Sequence, residues 1–227
     1  MKNITDVFFD LDHTLWDFDK NSRLAFDGIF NKRKIALSLD VFLRHYERIN
    51  EHYWKIYREE KISSEDLRFH RLKDTFEAMQ FAWTPSLIDE LSEEYLQELT
   101  SHHHLIDGAL EVLDYLKPKY KLHIITNGFD QVQSRKINGS GIKPYFETIT
   151  TSEMAGAKKP HATIFEYALG KAKTPAHQSV MIGDNLEADI DGALQFGMHA
   201  VFFQIKETTP SPKTYSITQL SALKNLL

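Results

Sequence analysis

Five short apolar runs constrain the fold of this chain more than any other feature of its sequence. They occupy residues 7–9, 122–125, 148–150, 180–182 and 200–203. Their apolar residues are mostly continuous rather than alternating, which is typical of strands buried on both faces of a parallel sheet. From residue 105 onward these runs alternate with helix candidates at 110–116, 131–139, 162–171 and 187–196. The alternation predicts an α/β fold with a doubly wound, mostly parallel sheet.

Residues 18–103 interrupt this alternation, because they contain no convincing strand. Apolar residues recur there at helical spacing, and Ser63 and Thr84 are candidate N-terminal caps. We therefore predict an all-helical module of roughly four helices, inserted after the first strand. The α/β core then comprises residues 1–17 and 104–227.

The composition excludes several classes of function. An apolar fraction of 42% in 227 residues suffices for a buried core. The net charge of −5 gives no electrostatic preference for nucleic acid or an anionic membrane. The chain has no cysteine, which excludes thiol catalysis, disulfides and cysteine-ligated metals. It shows no signal peptide and no apolar run near the ~20 residues of a membrane helix, so a cytoplasmic protein is expected.

Polar residues follow three of the apolar runs, at the edge of the sheet where open α/β folds bind ligands. These sets are Asp10 with Asp12, Thr126-Asn127-Gly128, and Gly183-Asp184-Asn185, and Lys159 precedes the helix before the fourth run. Together they offer carboxylates for a cation, a hydroxyl and N–H groups for an anion, and one ammonium. That combination is suited to phosphoryl transfer.

Asp10 and Asp12 are the two residues of this set that most clearly require a partner to compensate their charge. Two neighbouring carboxylates repel each other unless a cation or hydrogen-bond donors compensate their charge. If the strand stays regular, both side chains lie on the same face. A hard metal ion bound through oxygen is the simplest partner for them.

The order of these motifs resembles that of the haloacid dehalogenase (HAD) superfamily. The matching residues are Asp10-Leu11-Asp12-His13-Thr14, Thr126-Asn127-Gly128, Lys159-Pro160 and Gly183-Asp184-Asn185 with Asp189. The resemblance covers the whole chain, and it implies a Rossmann-like HAD core in which residues 18–103 form an inserted helical cap. Three stretches also resemble the noncanonical pyrimidine nucleotidase branch of this superfamily: Leu15-Trp16-Asp17-Phe18, Thr126-Asn127-Gly128-Phe129 and Ile164-Phe165-Glu166-Tyr167-Ala168-Leu169.

The resemblance implies a Mg²⁺-dependent reaction through an aspartyl phosphate. Asp10 is expected to attack phosphorus, and Asp12 to protonate the leaving oxygen and then to accept a proton from water. The side chains of Asp10 and Asp184 and the backbone carbonyl of Asp12 are expected to bind Mg²⁺. Asp189 and Asn185 are expected to support these groups without touching the substrate.

The resemblance also assigns the phosphate contacts. Thr126 is expected to donate a hydrogen bond to the phosphoryl oxygens, beside the backbone of Asn127 and Gly128. Lys159 is expected to neutralise charge on Asp10 and on the phosphate.

The helical module offers two further candidates for substrate contact. Arg68 and Arg71 are three residues apart on one predicted helix face. A guanidinium can bind either a phosphate or a nucleobase. The alternative is a solvated helix face without a ligand.

The presence of Asp12 also helps to distinguish phosphate-ester hydrolysis from carbon–halogen cleavage. A dehalogenase has no leaving alkoxide to protonate, and that branch lacks the second acid, so Asp12 favours phosphate chemistry over carbon–halogen cleavage. The expected function is that of a 5′-nucleotidase on nucleoside monophosphates, an inference from the branch resemblance. A phosphosugar mutase or a phosphatase for another small metabolite remains open, because either would keep both aspartates. A non-catalytic binding protein is a further alternative, although none of the motif residues is lost.

Overall fold

The computed structural model describes residue 1, residues 3–204 and residues 214–227. The sequence Thr208-Thr209-Pro210-Ser211-Pro212 predicts a surface loop over residues 206–213, and this segment lies outside the described residues. The chain divides into two compact units, Met1–Phe18 with His103–Leu227, and Asp19–His102. This division falls one residue from the limits given by the sequence, and the role of the helical unit as a cap stays a prediction.

Strands and helices follow one another in the described residues. The strands are β1 (Asp6–Phe9), β2 (Lys121–Thr126), β3 (Phe146–Thr151), β4 (Ser179–Gly183), β5 (His199–Phe203) and β6 (Tyr215–Ile217). The α-helices are α1 (Phe18–Arg33), α2 (Leu39–Arg58), α3 (Ser64–Ala78), α4 (Pro85–Leu99), α5 (Ala109–Leu116), α6 (Asp130–Gly139), α7 (Ser152–Ala155), α8 (Ala162–Ala172) and α9 (Gly192–Gln195).

The six strands form one parallel sheet in the order β3-β2-β1-β4-β5-β6. The central strand β1 is buried along its whole length. The chain runs from β1 outward to β2 and β3, then returns to β4 on the other side of β1. The order of the strands therefore reverses between β1 and β4, which is where doubly wound sheets bind ligands. The predicted fold class is confirmed.

The last strand, β6, is not predicted by the sequence. It has only three residues, and Tyr215 and Ser216 are exposed, so it lacks the apolar run that marks the other strands. After β6 the sequence predicts one last short helix, and the structure has a 3₁₀ turn there over Leu220–Asn225.

The helix predicted at 187–196 is also different. The chain forms a π-helical turn over Leu186–Asp191, followed by α9. Asn185 Oδ1 accepts a hydrogen bond from the backbone N–H of Ala188 at 2.9 Å, and Asp189 Oδ2 accepts one from the N–H of Asn185 at 3.0 Å. Asn185 is therefore the N-terminal cap of this turn. Single π-turns of this kind are frequent at functional sites.

The second unit consists of α1 to α4. Both predicted helix starts are confirmed: Ser63 Oγ accepts from the N–H of Asp66 at 3.0 Å, and Thr84 Oγ1 accepts from the N–H of Leu87 at 3.2 Å. The core of this unit is aromatic, and Phe26 stacks on Tyr95 with ring centroids 4.3 Å apart. Among the described residues, no helix is long and apolar enough to cross a membrane.

Candidate active site

The strand order brings three motifs to one edge of the sheet. Because β1 pairs with β2 on one side and β4 on the other, Asp10, Thr126 and Asp184 stand at or directly after three adjacent strand ends. The backbone N–H of Asp10 donates to the carbonyl of Ile182 in β4 at 2.9 Å, which continues the pairing by one residue. The polar residues thus meet because apolar strands hold their backbones in register.

A tight turn after Asp10 brings Thr14 close to Asp184, the residue that follows β4. The carbonyl of Leu11 accepts from the N–H groups of Leu15 and Trp16 at 2.9 and 2.8 Å. His13 adopts a left-handed conformation with φ of 61° to complete the turn. Thr14 Oγ1 thereby reaches Asp184 Oδ1 at 3.1 Å and orients that carboxylate.

Three carboxylates gather at this edge. One oxygen each of Asp10, Asp184 and Asp189 lie within 4.8 Å of one another. Asp10 and Asp189 are buried, and Asp184 is partly exposed. Carboxylate oxygens held this closely are the donor set that hard divalent cations prefer.

The pKa values of Asp10 and Asp184 show that burial and mutual repulsion disfavour the ionised forms of these carboxyl groups. Burial raises the pKa of Asp10 well above its ordinary value; Lys159 opposes the shift, and the neighbouring carboxylates add to it. Burial and the charge of Asp189 raise the pKa of Asp184 to about 8. A carboxyl group whose pKa is raised by folding costs stability as the pH climbs from its ordinary value toward the raised one. The metal-free cluster is therefore destabilising near neutral pH.

Lys159 is the counter-charge within the cluster. Its Nζ lies 2.5 Å from Asp10 Oδ1 and 2.6 Å from Asp189 Oδ1, and it donates to the carbonyl of Ile125 at 2.7 Å. Burial lowers the pKa of Lys159, but the two carboxylates outweigh this and hold the pKa above its ordinary value. One ammonium against three carboxylates leaves an excess of negative charge.

Asn127 fastens the segment that carries Lys159. Its Nδ2 donates to the carbonyl of Lys159 at 3.0 Å, and its Oδ1 accepts from the N–H of Lys159 at 2.7 Å. The side chain of Asn127 is therefore used to position Lys159. A contact between Asn127 and phosphate would come from its backbone.

Two motif glycines make room for neighbouring side chains. A Cβ on Gly183 would lie 2.3 Å from Asp189 Oδ2, and a Cβ on Gly128 would lie 2.3 Å from Gln133 Nε2. Both contacts are far inside the van der Waals limit. Each glycine thus permits the approach of a buried polar group to the strand end.

Asp12 is not a member of this carboxylate cluster and has its own partners. Lys136 Nζ donates to Asp12 Oδ1 at 2.6 Å, and Gln133 Nε2 donates to Asp12 Oδ2 at 2.8 Å. Gln133 Nε2 also donates to Thr126 Oγ1 at 2.7 Å. Sequence reasoning missed Gln133 and Lys136. The available signal was a helix at 131–139 with few apolar residues, in which two long polar side chains share a face three residues apart.

The two candidate arginines of α3 have different environments. Arg68 forms ion pairs with Glu65 and Glu93 at 3.7 and 3.3 Å. Arg71 is 2% exposed, and its Nη1 donates to Asn50 Oδ1 at 3.1 Å. Its Nε and Nη2 have no hydrogen-bond acceptor within the part of the chain that the structure describes.

An open parallel sheet with a carboxylate cluster at its switch point is the arrangement in which α/β proteins bind their ligands. The chain belongs to the haloacid dehalogenase-like hydrolase family, whose model matches residues 7–203. The resemblance to the HAD superfamily is thereby confirmed.

Three similar proteins align with almost the whole chain. The HAD-hydrolase YfnB of Bacillus subtilis is 29% identical across 100% of this chain and 97% of its own length. The pyrimidine 5′-nucleotidases YjjG of Escherichia coli and PynA of Streptococcus pneumoniae are 28% and 29% identical. YjjG covers 97% of this chain and 96% of its own, and PynA covers 97% and 94%. A crystal structure of YfnB bound to magnesium has a TM-score of 0.89 at 28% identity and covers 99% of both chains.

Proposed function

We propose that this protein is a Mg²⁺-dependent phosphomonoesterase that forms an aspartyl phosphate and acts on nucleoside 5′-monophosphates. One observation carries the proposal: Asp10, at the end of the central strand, belongs to a group of three carboxylates whose negative charge the ammonium of Lys159 offsets only in part. Buried charges of one sign require compensation. A divalent cation would restore the balance and would let Asp10 approach an anionic phosphate.

The donor set fits Mg²⁺. We assign the side chains of Asp10 and Asp184 and the backbone carbonyl of Asp12 as ligands, with Asp189 and Asn185 supporting them. Bound Mg²⁺ would polarise the phosphoryl group and offset its negative charge. The magnesium bound in the YfnB structure supports Mg²⁺ as the cation.

Two aspartates divide the chemistry. In the first step an oxygen of Asp10 bonds to phosphorus while the bond to the leaving oxygen breaks, and Asp12 gives that oxygen a proton. In the second step water attacks phosphorus and gives a proton to Asp12, while the bond between phosphorus and Asp10 breaks. The products are an alcohol and inorganic phosphate, and both aspartates return to their starting state.

The remaining motif residues hold the phosphoryl group. We assign Thr126 Oγ1 and the backbone N–H groups of Asn127 and Gly128 as hydrogen-bond donors to its oxygens. Lys159 lies beside Asp10 and would offset the charge that the phosphoryl oxygens bring into the site. These groups are held by the strand ends and need little reorganisation during the reaction.

The class of substrate rests on the relatives. YjjG and PynA, which align with nearly the whole chain, are both named pyrimidine 5′-nucleotidases. The motif segments at 15–18 and 126–129 resemble the same branch. We therefore place nucleoside monophosphates ahead of phosphosugars as substrates.

A panel of phosphate esters tests this function. With Mg²⁺, the enzyme is expected to release inorganic phosphate from nucleoside 5′-monophosphates, and excess chelator should reduce the rate at least ~100-fold, because the phosphate charge is then uncompensated. Restoring Mg²⁺ after chelation is the control. Release only from phosphosugars would contradict the choice of substrate. Conversion of a phosphosugar to its isomer without free phosphate would identify a mutase.

We also propose that Arg71 contacts the nucleoside part of the substrate. Its buried guanidinium has two nitrogens that find no acceptor among the described residues, and such donors are costly to leave unpaired. Carbonyl oxygens of a nucleobase are suitable acceptors. Because Arg68 is already paired with Glu65 and Glu93, we place the stronger expectation on Arg71.

The variant Arg71→Met is expected to raise KM for nucleoside monophosphates by about 10-fold, the equivalent of one hydrogen bond to a charged group. Its kcat/KM for p-nitrophenyl phosphate, which lacks a nucleoside, should stay near the wild-type value. Arg48→Met, at an exposed position of α2, is the matched control. Equal losses on both esters would indicate a structural role for Arg71 instead.

A further inference from the structure

We propose that Gln133 and Lys136 are positioning residues for the acid–base group and the phosphate-binding hydroxyl. Both lie on α6 and both are buried, with exposures of 1% and 3%. They contact Asp12 and Thr126, through which we expect them to act. This inference rests on the proposed phosphomonoesterase function, and it adds two residues that the four motifs do not contain.

Gln133 links Asp12 to Thr126 through one amide group. Its Nε2 lies 2.8 Å from Asp12 Oδ2 and 2.7 Å from Thr126 Oγ1. An amide nitrogen carries two hydrogens, so it donates to both residues at once. The direction of the Asp12 carboxyl and the place of the Thr126 hydroxyl are therefore set by the same side chain.

The hydrogen bonds around Thr126 determine what its hydroxyl can do. Thr126 Oγ1 accepts from Gln133 Nε2 and also from the N–H of Gly128 at 3.2 Å. A hydroxyl oxygen has two lone pairs and one hydrogen. With both lone pairs engaged, the hydrogen of Thr126 is left to donate, which is the role that a phosphoryl oxygen requires.

Lys136 holds the other oxygen of Asp12. Its Nζ lies 2.6 Å from Asp12 Oδ1 and 4.4 Å from the centre of the Trp16 ring. The face of Trp16 attracts the ammonium and limits its movement. With Gln133 on one oxygen and Lys136 on the other, the Asp12 carboxyl cannot rotate without losing a charge-assisted hydrogen bond.

Packing against Gly128 explains how Gln133 reaches both partners. A Cβ at position 128 would occupy the place of the Gln133 amide, since it would lie 2.3 Å from Nε2. The glycine of the second motif thus leaves space for a side chain from the following helix.

The two residues are expected to affect different steps. Lys136 touches Asp12, whose proton is needed when the leaving group is an alkoxide, such as the 5′-oxygen of a nucleoside. p-Nitrophenolate departs without that proton. Gln133 touches Asp12 and Thr126, so its loss should also weaken stabilisation of the phosphoryl group, which every ester needs.

The test compares kcat/KM for a nucleoside 5′-monophosphate and for p-nitrophenyl phosphate, because kcat/KM reports the steps up to formation of the phosphoenzyme. Lys136→Met is expected to lose about 100-fold on the nucleotide, the lower range for general acid catalysis, and less than about 5-fold on p-nitrophenyl phosphate. Gln133→Leu is expected to lose activity on both esters, with the larger loss on the nucleotide. Gln131→Leu and Arg135→Met, exposed on the same helix, are the matched controls.

Three outcomes decide the inference. The predicted split for Lys136→Met supports it, and retained activity on p-nitrophenyl phosphate shows that the variant is folded. Equal losses on both esters, or no loss on either, would overturn it while wild-type phosphatase activity leaves the proposed function intact. A wild-type enzyme that releases no phosphate from either ester would overturn the proposed function and the inference with it.

Discussion

Asp10→Asn is expected to reduce phosphate release by roughly 10⁴-fold or more, the scale seen when a covalent nucleophile is removed. The amide oxygen carries no charge, so it neither attacks phosphorus nor binds a divalent cation well. No phosphoenzyme should be trapped by acid quench. The measurement is inorganic phosphate release from a nucleoside monophosphate with Mg²⁺.

The fold of this variant should be intact. Asparagine has nearly the same shape as aspartate, and the substitution removes a carboxyl group whose pKa is raised by burial. Its melting temperature without Mg²⁺ should therefore equal or exceed that of the wild type, while added Mg²⁺ should stabilise it less. Asp27→Asn, on the exposed face of α1, is the control. Full activity of Asp10→Asn in a clean preparation would refute the mechanism.

Lys159→Met is expected to lower the free energy of unfolding by about 3–5 kcal/mol at pH 8 and to abolish activity, because it leaves buried carboxylates without their counter-charge. Lys159 is 2% exposed and its Nζ contacts both Asp10 and Asp189. Chemical denaturation in the presence of chelator measures the loss. Lys143→Met, at an exposed position, should change stability by less than about 0.5 kcal/mol.

The pH dependence of the Lys159→Met effect has a defined sign. The pKa of Lys159 is raised in the folded protein, so its contribution to stability is fully present below the ordinary lysine pKa and is lost only above it. The carboxyl groups of Asp10 and Asp184 have raised pKa values in the folded protein. Their ionisation therefore lowers the free energy of unfolding as the pH rises toward those values. The deficit of Lys159→Met should therefore shrink at pH 5 and grow toward pH 9.

A double variant separates charge from shape at Lys159. Combining Lys159→Met with Asp10→Asn removes one carboxylate together with the ammonium. If the deficit is electrostatic, Asp10→Asn should stabilise the Lys159→Met background more than it stabilises the wild type, so the double variant should be more stable than the sum of the two single effects predicts. If the change in the free energy of unfolding of the double variant equals the sum of the two single changes, the loss at Lys159 is due to packing.

The fold and most of the site arrangement could be predicted from the sequence, because both follow from apolar strands. A buried parallel strand needs a continuous apolar run, and the polar residues after β1, β2 and β4 must then stand at one edge. The strand β6 escaped prediction because two of its three residues face solvent. The π-helical turn at Leu186–Asp191 escaped because the apolar spacing of residues 187–196 does not distinguish it from an α-helix.

Gln133 and Lys136 could not be placed by the same reasoning. Long polar side chains on a helix are ordinarily solvated, and their burial here depends on Asp12, more than a hundred residues away in the chain. The role of the Asn127 side chain was hidden for a similar reason. Asn-Gly is a common turn pair, whereas here the amide is bound to the backbone of Lys159.

The space left open by Gly128 and Gly183 has a consequence for engineering this enzyme. Position 128 shares its volume with residue 133, and position 183 shares its volume with residue 189. A mutational scan that changes one position at a time will score both glycines as intolerant of substitution. It will miss pairs of substitutions in which a larger residue at one position is compensated by a smaller residue at the other. Libraries that vary 128 with 133, and 183 with 189, sample the sequences in which a larger residue on the strand end is matched by a shorter one on the helix.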